Sequence, residues 1–204
     1  MGFRAAVVAG AVASLCILGG GAALGAATKY AIPEYGNTLP PIGFVKFCAE
    51  NPADCKTLGS EEKVSMSPER WSQLSQVNSF VNGRIAPISD QDLYGEAEHW
   101  AYPTDAGDCE DYVLLKKRQL EDIGFSAKAL LITVVLDEKG EGHAVLTITT
   151  DAGDYVLDNR LDSILRWNDT RYKFLKRQSH SNPLQWVALI DQSSSNSGFV
   201  ASGN

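Results

Sequence analysis

Three residues are of the types that together perform nucleophilic catalysis. Cys109 stands at the predicted start of a helix, His143 at the start of a later strand, and Asp158 in the strand that follows. A thiol at a helix N-terminus lies at the positive end of the helix dipole, which favours the thiolate. The histidine could accept the thiol proton, and the aspartate could hold the imidazole tautomer. The backbone N–H of Cys109 could help to stabilise an oxyanion.

Each of these residues also has a purely structural interpretation. An unpaired cysteine such as Cys109 is often a small buried apolar residue. His143 could be a packed strand residue, and Asp158, which precedes Asn159, could simply end a strand. The order Cys, His, Asp is therefore only suggestive until the surrounding sequence is considered.

Helix caps predict the elements in the first half of the chain. The Ser-Pro pair at 67–68 is typical of a helix N-cap and first helical position, and Asn82-Gly83 ends this helix. A second helix begins at Asp108 or Cys109, and Gly124 is a suitable residue to close it.

Hydrophobic spacing predicts mostly strands in the second half. Strands are expected at 129–136, 143–150, 155–159 and 185–190. By contrast, residues 29–63 are expected to wrap the surface and residues 84–106 to form a loop, because both are punctuated by Pro and Gly. Helices followed by an antiparallel sheet predict a single α+β domain.

Composition and charge limit the classes of function. The chain has 204 residues, of which 44% are hydrophobic, and a formal net charge of −7. This length is sufficient for one domain with a sizeable core. No run of basic residues is present, so a nucleic-acid partner is not expected.

The two ends of the chain differ from its centre. Arg4 is followed by an uncharged, Ala- and Gly-rich stretch from 5 to 27 that ends in small residues. This pattern predicts a signal peptide over 1–27 and a periplasmic or secreted protein, with a retained membrane anchor as the alternative. The domain is then expected over 28–191, and the polar residues 192–204 are expected to be disordered.

The remaining cysteines are informative in an exported chain. Cys48 and Cys55 are separated by turn-forming residues and could form a local disulfide. A metal pair is the alternative, although no His or further Cys lies close by in sequence. Cys109 is left unpaired, and is either buried and inert or reactive.

Three motifs together resemble a known family. They are GDCED at 107–111, HAVL at 143–146 and VLDN at 156–159. In order and spacing they resemble the bacterial transglutaminase-like cysteine proteinases, and the likeness extends over 81–186. Upstream, Asn82, Asp90 and Tyr94-Gly95 also fit this pattern. The resemblance implies a papain-like fold in its transglutaminase variant, with Cys109 as nucleophile, His143 as base and Asp158 as the orienting carboxylate.

The resemblance also implies a cofactor and partners. The well-understood LapG-type members are calcium-dependent periplasmic proteases that cut large surface adhesins. They are held by an inner-membrane receptor for cyclic di-GMP. Their calcium ligands flank the nucleophile, which corresponds to Asp108 and Glu110 here.

The carboxylates around the thiol have two explanations. Asp108, Glu110 and Asp111 put negative charge beside a group that must ionise, which opposes thiolate formation. Helix capping by Asp108 and Asp111 would explain two of them. A calcium ion held by Asp108 and Glu110 would instead offset the negative field.

Three functions are compatible with these residues. The first is a cysteine endopeptidase. The second is an acyltransferase, such as a transglutaminase, because acyl transfer to an amine begins with the same chemistry. The third is a catalytically idle domain that binds a peptide or a surface polymer.

Overall fold

The computed structural model describes residues 1–2, 30–56 and 59–191. Apart from Met1 and Gly2, the expected signal peptide lies outside these residues, as does the expected disordered tail. Within the described ranges, no helix combines the length and the apolar character needed to cross a membrane.

An antiparallel sheet forms the centre of the fold. The strands are β1 (Asn37–Thr38), β2 (Ala86–Pro87), β3 (Ala106–Gly107), β4 (Leu130–Leu136), β5 (Gly142–Thr150), β6 (Gly153–Asp158), β7 (Leu161–Arg166), β8 (Lys173–Gln178) and β9 (Trp186–Ala188). Seven of them pair in the order β1-β9-β8-β4-β5-β6-β7, and β2 pairs with β3 in a separate parallel ribbon. Every pair in the large sheet is antiparallel.

The helices precede most of this sheet. They are α1 (Ile42–Glu50), α2 (Pro68–Arg84), α3 (Asp90–Leu93) and α4 (Cys109–Asp122), with short 3-10 helices at Ala127–Ala129 and Trp167–Asp169. Ser67 caps α2, because its side chain accepts a hydrogen bond from the Arg70 N–H over 3.1 Å. Gly124 follows α4 with a φ of +88°, a left-handed conformation that glycine adopts without strain. The α+β prediction is confirmed.

Both faces of the sheet are buried. The main core lies between the helices and the sheet, where Val113, Leu114 and Leu120 of α4 pack in one cluster with Leu146 and Ile148 of β5. A smaller cluster covers the opposite face and is formed by Ile32, Val135, Val145, Val156, Phe174, Val187 and Leu189. Burial on both faces explains the nearly continuous apolar sequence of β4.

The expectation that residues 29–63 only wrap the surface is wrong. This segment contains α1, whose Phe44 and Phe47 are each 2% exposed and belong to the main core. Cys48 in α1 forms a disulfide with Cys55, so the disulfide alternative is correct. The loop predicted at 84–106 is interrupted by β2 and α3, and β1, β7 and β8 were not predicted.

Candidate active site

The GDCED motif places Cys109 as the first residue of α4. Gly107 precedes it in β3, and a Cβ atom at this position would lie 2.5 Å from Oδ2 of Asp111. Glycine is therefore needed for the close approach of β3 to Asp111. Asp111 is fully buried, and its Oδ1 accepts a hydrogen bond from the Ala101 N–H over 2.8 Å. This contact anchors the segment before β3 to the helix that carries the thiol.

His143 and Asp158 lie on neighbouring strands and form a buried pair. His143 is in β5, Asp158 ends β6, and His143 Nε2 lies 3.0 Å from Asp158 Oδ1. The other ring nitrogen, Nδ1, is buried and has no hydrogen-bond partner among the described residues. This leaves Nδ1 available for proton transfer while Nε2 is engaged by the carboxylate.

The Asp158 carboxylate is held by further donors. The Arg160 N–H donates to Oδ1 over 3.0 Å, and the Tyr172 hydroxyl donates to Oδ2 over 2.5 Å. Asn82 in α2 donates to the Asp158 backbone carbonyl over 3.0 Å. Burial opposes ionisation of Asp158, but the hydrogen bonds from His143, Arg160 and Tyr172 outweigh it and lower its pKa. The carboxylate is therefore ionised at neutral pH.

Cys109 and His143 line the same cleft. Its volume is about 230 Å³, and it is open to solvent. We refer to it as the Cys109 cleft; its walls are formed by Pro41, Glu98, Trp100, Cys109, Glu110, Val134, Gly142, His143, Ala144 and Lys176. The helix layer and the sheet layer thus each supply one candidate catalytic side chain to the same cleft.

The thiol itself is held in its neutral form. Cys109 Sγ donates a hydrogen bond to Glu110 Oε2 over 2.9 Å. Burial raises the pKa of the Cys109 thiol, and the Glu110 and Asp108 carboxylates raise it further, against a small lowering by the Ala144 N–H. The helix dipole alone therefore does not produce a thiolate here.

Three carboxylates form a cluster beside the thiol. Asp90, Asp108 and Asp111 each place an oxygen within 4.8 Å of the others. One buried oxygen of each has no hydrogen-bond partner in the part of the chain that the structure describes. Burial is the main cause that raises the pKa of Asp108 to about 7 and that of Asp111 to about 8. Carboxylate oxygens without hydrogen-bond donors among the described residues are suitable ligands, so the cluster fits a cation.

Helix capping accounts only in part for these carboxylates. Asp108 occupies the N-cap position of α4, but its side chain makes no capping hydrogen bond, although nearby N–H groups of Asp90 and Glu110 lower its pKa. The Asp111 carboxylate bonds Ala101 rather than the helix start. The position of Asp108 agrees with the capping explanation, but a side-chain capping hydrogen bond is absent at Asp108, and Asp111 uses its carboxylate elsewhere. Glu110 is engaged with the thiol and is not a member of the three-carboxylate cluster.

A family model matches residues 34–194, more than three quarters of the chain, and describes the bacterial transglutaminase-like cysteine proteinases. The chain belongs to this family. No curated protein matches it. The matched region of this proteinase includes the whole Cys109 cleft and the pair formed by His143 and Asp158.

Solved structures of LapG from Legionella pneumophila share the proteinase fold. The calcium-bound structure is 24% identical, with a TM-score of 0.51 over 62% of this chain and 72% of LapG. A second LapG structure is 25% identical, with a TM-score of 0.51 over 65% of this chain and 76% of LapG. The EGTA-treated structure is 26% identical, with a TM-score of 0.51 over 64% of this chain and 72% of LapG.

The proteinase site contains residues that sequence reasoning missed or undervalued. Asp90 and Asn82 were recognised only as part of the upstream pattern. In the structure Asp90 belongs to the carboxylate cluster, and Asn82 donates to the Asp158 carbonyl. Tyr172 and Lys116 were not recognised as site residues. No local pattern marks Tyr172, whose contact with Asp158 joins residues 14 positions apart.

Lys116 is buried close enough to Asp158 for the two charges to interact. Its side chain is fully buried in α4, and its Nζ has no hydrogen-bond partner among the described residues. The ammonium lies 5.9 Å from the centre of the Tyr112 ring. Burial lowers the pKa of Lys116 to about 7, while the carboxylates of Asp158 and Asp162 act in the opposite direction. A positive charge at Lys116 therefore costs stability.

Proposed function

We propose that this proteinase is a cysteine endopeptidase in which Cys109 is the nucleophile, His143 the general base and Asp158 the orienting carboxylate. The main support is the buried contact between His143 Nε2 and Asp158 Oδ1 in the wall of the Cys109 cleft. This contact occupies one ring nitrogen and leaves Nδ1 without a partner among the described residues, on a ring that shares the cleft with the thiol.

The proposed reaction proceeds in two stages. His143 Nδ1 takes the thiol proton, and Cys109 Sγ attacks the carbonyl carbon of the scissile peptide bond. The Cys109 N–H, at the start of α4 where no intrahelical acceptor exists, stabilises the oxyanion. His143 then protonates the amine that leaves. In the second stage His143 deprotonates a water molecule, which attacks the thioester and releases the acid and the thiol.

Asp158 acts through His143. Its ionised carboxylate keeps the proton on Nε2 of the imidazole, so that Nδ1 is the nitrogen that exchanges the proton with Cys109. The same negative charge stabilises the imidazolium that forms when the thiolate is generated. This role requires the low pKa that the surrounding donors give to Asp158.

Calcium is the proposed cofactor. Asp90, Asp108 and Asp111 would hold it, because each has a carboxylate oxygen with no partner in the described ranges, and calcium prefers carboxylate ligands. Glu110, which was expected from the motif, remains a candidate as a further ligand. A bound calcium ion would supply positive charge that favours the thiolate. The calcium-bound LapG structure shares the fold, whereas the assignment of these ligands rests on the donor atoms of this chain.

The partners and the location are carried over from the family resemblance. We propose that the substrate is a protein of the surface-adhesin type and that an inner-membrane receptor for cyclic di-GMP binds the proteinase. Periplasmic or secreted location is supported by the disulfide between Cys48 and Cys55, since structural disulfides persist mainly in oxidising compartments.

The proposed function is tested with the purified protein in calcium. We would incubate wild-type protein and the Cys109→Ala variant with a proteome-derived peptide library and identify new N-termini by mass spectrometry. New termini that depend on Cys109 are expected. An added labelled amine that enters glutamine side chains in place of cleavage would identify an acyltransferase. Absence of both products, together with no selective alkylation of Cys109 by iodoacetamide, would identify an idle binding domain.

A further inference from the structure

Tyr172 contacts both members of the pair formed by His143 and Asp158. Its hydroxyl donates to Asp158 Oδ2 over 2.5 Å. Its ring meets the His143 ring edge-on, with the centroids 5.6 Å apart and the planes at 73°. One side chain therefore touches the carboxylate through a polar group and the imidazole through an apolar one.

The donors to Asp158 are divided unequally between its two oxygens. Oδ1 receives His143 Nε2 and the Arg160 N–H, each over 3.0 Å. The Tyr172 hydroxyl is the donor to Oδ2 among the described residues. The torsion that rotates a carboxylate about its Cβ–Cγ bond has only a broad preference. The plane of this carboxylate, and with it the direction of the bond to His143, is therefore fixed by Tyr172 on the Oδ2 side.

We propose that Tyr172 is a positioning residue of the catalytic site, which holds the Asp158 carboxylate in the plane that orients His143 towards Cys109. The inference rests on the proposed function, because it assigns a role relative to the Cys109–His143–Asp158 triad. Tyr172 does not line the Cys109 cleft, so it acts through Asp158 and His143 rather than on the substrate.

The phenol is suited to act as a permanent donor. Burial, the hydrogen bond to Asp158 and the negative charge of Asp158 together raise the pKa of Tyr172. The hydroxyl therefore keeps its proton throughout the neutral range. A histidine or a carboxylate in this position would change its charge within the range where such enzymes work.

Tyr172, which contacts Asp158, also lines a second cavity that Asp158 does not line. This cavity has a volume of about 240 Å³, and Tyr172 lines it together with Leu161, Leu165, Thr170 and Arg171. Loss of the aromatic ring would let water from this cavity reach Asp158, whereas loss of the hydroxyl alone would keep the ring in place. The variants Tyr172→Phe and Tyr172→Ala therefore separate the hydrogen bond from the barrier to water.

The experiment measures the triad without a substrate. In calcium-containing buffer we would record the rate of Cys109 alkylation by iodoacetamide as a function of pH, and the downfield proton resonance of His143 Nε2–H. Wild type, Tyr172→Phe and Tyr172→Ala are compared with His143→Ala. Tyr155→Phe is the matched control, because Tyr155 is on the strand that carries Asp158 but its ring pairs with Trp71.

Tyr172→Phe is expected to slow alkylation at neutral pH by roughly ten- to a hundredfold, the usual effect of losing a hydrogen bond to a charged group. The Nε2–H resonance should shift or broaden beyond detection, and the melting temperature should fall by only a few degrees, because a single hydrogen bond is lost. Tyr172→Ala should lose more reactivity, and Tyr155→Phe should resemble wild type.

Three outcomes would overturn the inference. In the first, Tyr172→Phe keeps the wild-type alkylation rate and proton resonance, whereas His143→Ala loses reactivity. This would exclude a positioning role for Tyr172 and leave the triad in place. Equal losses in Tyr172→Phe and Tyr155→Phe, with lower melting temperatures, would show a general structural effect. If wild type and His143→Ala react at the same rate, the triad itself is wrong, and the role of Tyr172 falls with it.

Discussion

Glu110 Oε2 accepts the hydrogen bond of the Cys109 thiol over 2.9 Å. The residue that follows Cys109 in the sequence therefore stabilises the neutral thiol rather than the thiolate. Its charge is also a cause of the raised pKa of Cys109, second only to burial. The reactivity of Cys109 therefore depends on the charge of the Glu110 carboxylate. A nearby cation is the simplest means of offsetting that charge.

Glu110→Gln should have opposite effects with and without calcium. In chelator-treated protein, removal of the negative charge should lower the pKa of Cys109 and speed alkylation several-fold. With bound calcium, the variant should raise the apparent pKa of the thiol if Glu110 helps to hold the ion. Alkylation rates across pH measure both effects. Glu98→Gln is the control, since Glu98 lines the same cleft, and an unchanged profile for Glu110→Gln in chelator would contradict the hydrogen bond.

Calcium should also change how stability depends on pH. The folded-state pKa values of Asp108 and Asp111, about 7 and about 8, lie above the ordinary value of 3.8. The folded state therefore binds more protons than the unfolded state, and the stability of chelator-treated protein should fall as the pH rises from about 4 to about 8. Calcium should reverse this loss and raise the melting temperature by roughly 3–8 °C at pH 8. A melting temperature that does not respond to calcium would exclude a cation at this cluster.

Asp158→Asn should nearly abolish activity without unfolding the protein. Asparagine can occupy the same space but favours the wrong imidazole tautomer, so we expect a loss of about a thousandfold or more in rate. Proteolysis of the peptide library and iodoacetamide alkylation measure the loss. Asp105→Asn, at an exposed residue that pairs with Arg84, is the control. Nearly full activity in Asp158→Asn would remove Asp158 from the triad.

Lys116→Met should stabilise the protein. The pKa of Lys116 is lowered to about 7, so between pH 7 and the ordinary value of 10.5 the unfolded state binds more protons than the folded state. The destabilisation is therefore complete at pH 7 and below, and it disappears above pH 10.5. Replacement should raise the free energy of unfolding by about 1–3 kcal/mol near pH 7, as found when buried charges are replaced by apolar residues.

The adjacent lysine provides a control for this prediction. Lys117 is also buried, but its Nζ donates to the Leu130 carbonyl over 2.6 Å and pairs with Glu121 over 3.0 Å. Lys117→Met should therefore destabilise the protein. Denaturant titrations of both variants measure the difference, and a loss of stability in Lys116→Met would show that its ammonium makes a favourable interaction.

Removal of the disulfide should cost as much stability as the closing of a short loop provides. Cys48 and Cys55 are only seven positions apart, so the bond restricts a short loop, and Cys48→Ser with Cys55→Ser should lose about 2–3 kcal/mol. Chemical unfolding with and without reductant measures this. Cys109→Ala should leave stability nearly unchanged, and a Cys109 disulfide to either partner in peptide mapping would contradict both the pairing and the triad.

The sequence predicted those elements whose signals are local. The GDCED motif predicted that Cys109 begins a helix. The spacing of apolar residues predicted the strands that carry His143 and Asp158. Because β5 and β6 are joined by a short turn, their pairing followed directly from the sequence. The catalytic roles of these residues remain predictions.

The missed features depend on contacts between distant parts of the chain. β8 carries charged residues that hide its strand pattern, and its Arg177 is buried because it pairs with Asp154 and Glu34. Lys116 and Tyr172 likewise acquire their importance only from neighbours brought together by folding. The helix α1 was missed because Pro and Gly surround it, although its phenylalanines complete the core.

The proposed nucleophile and its proposed base are carried by different layers of the protein. Cys109 moves with α4 and His143 with the sheet, and the separation of the two layers is set by side chains such as Val113 and Leu146 in the core between them. Packing in the hydrophobic core therefore sets the distance between Cys109 and His143. Proton transfer between them needs a more exact distance than folding alone requires. Heat or denaturant that loosens this packing should therefore abolish the proposed activity before the helices and strands unfold.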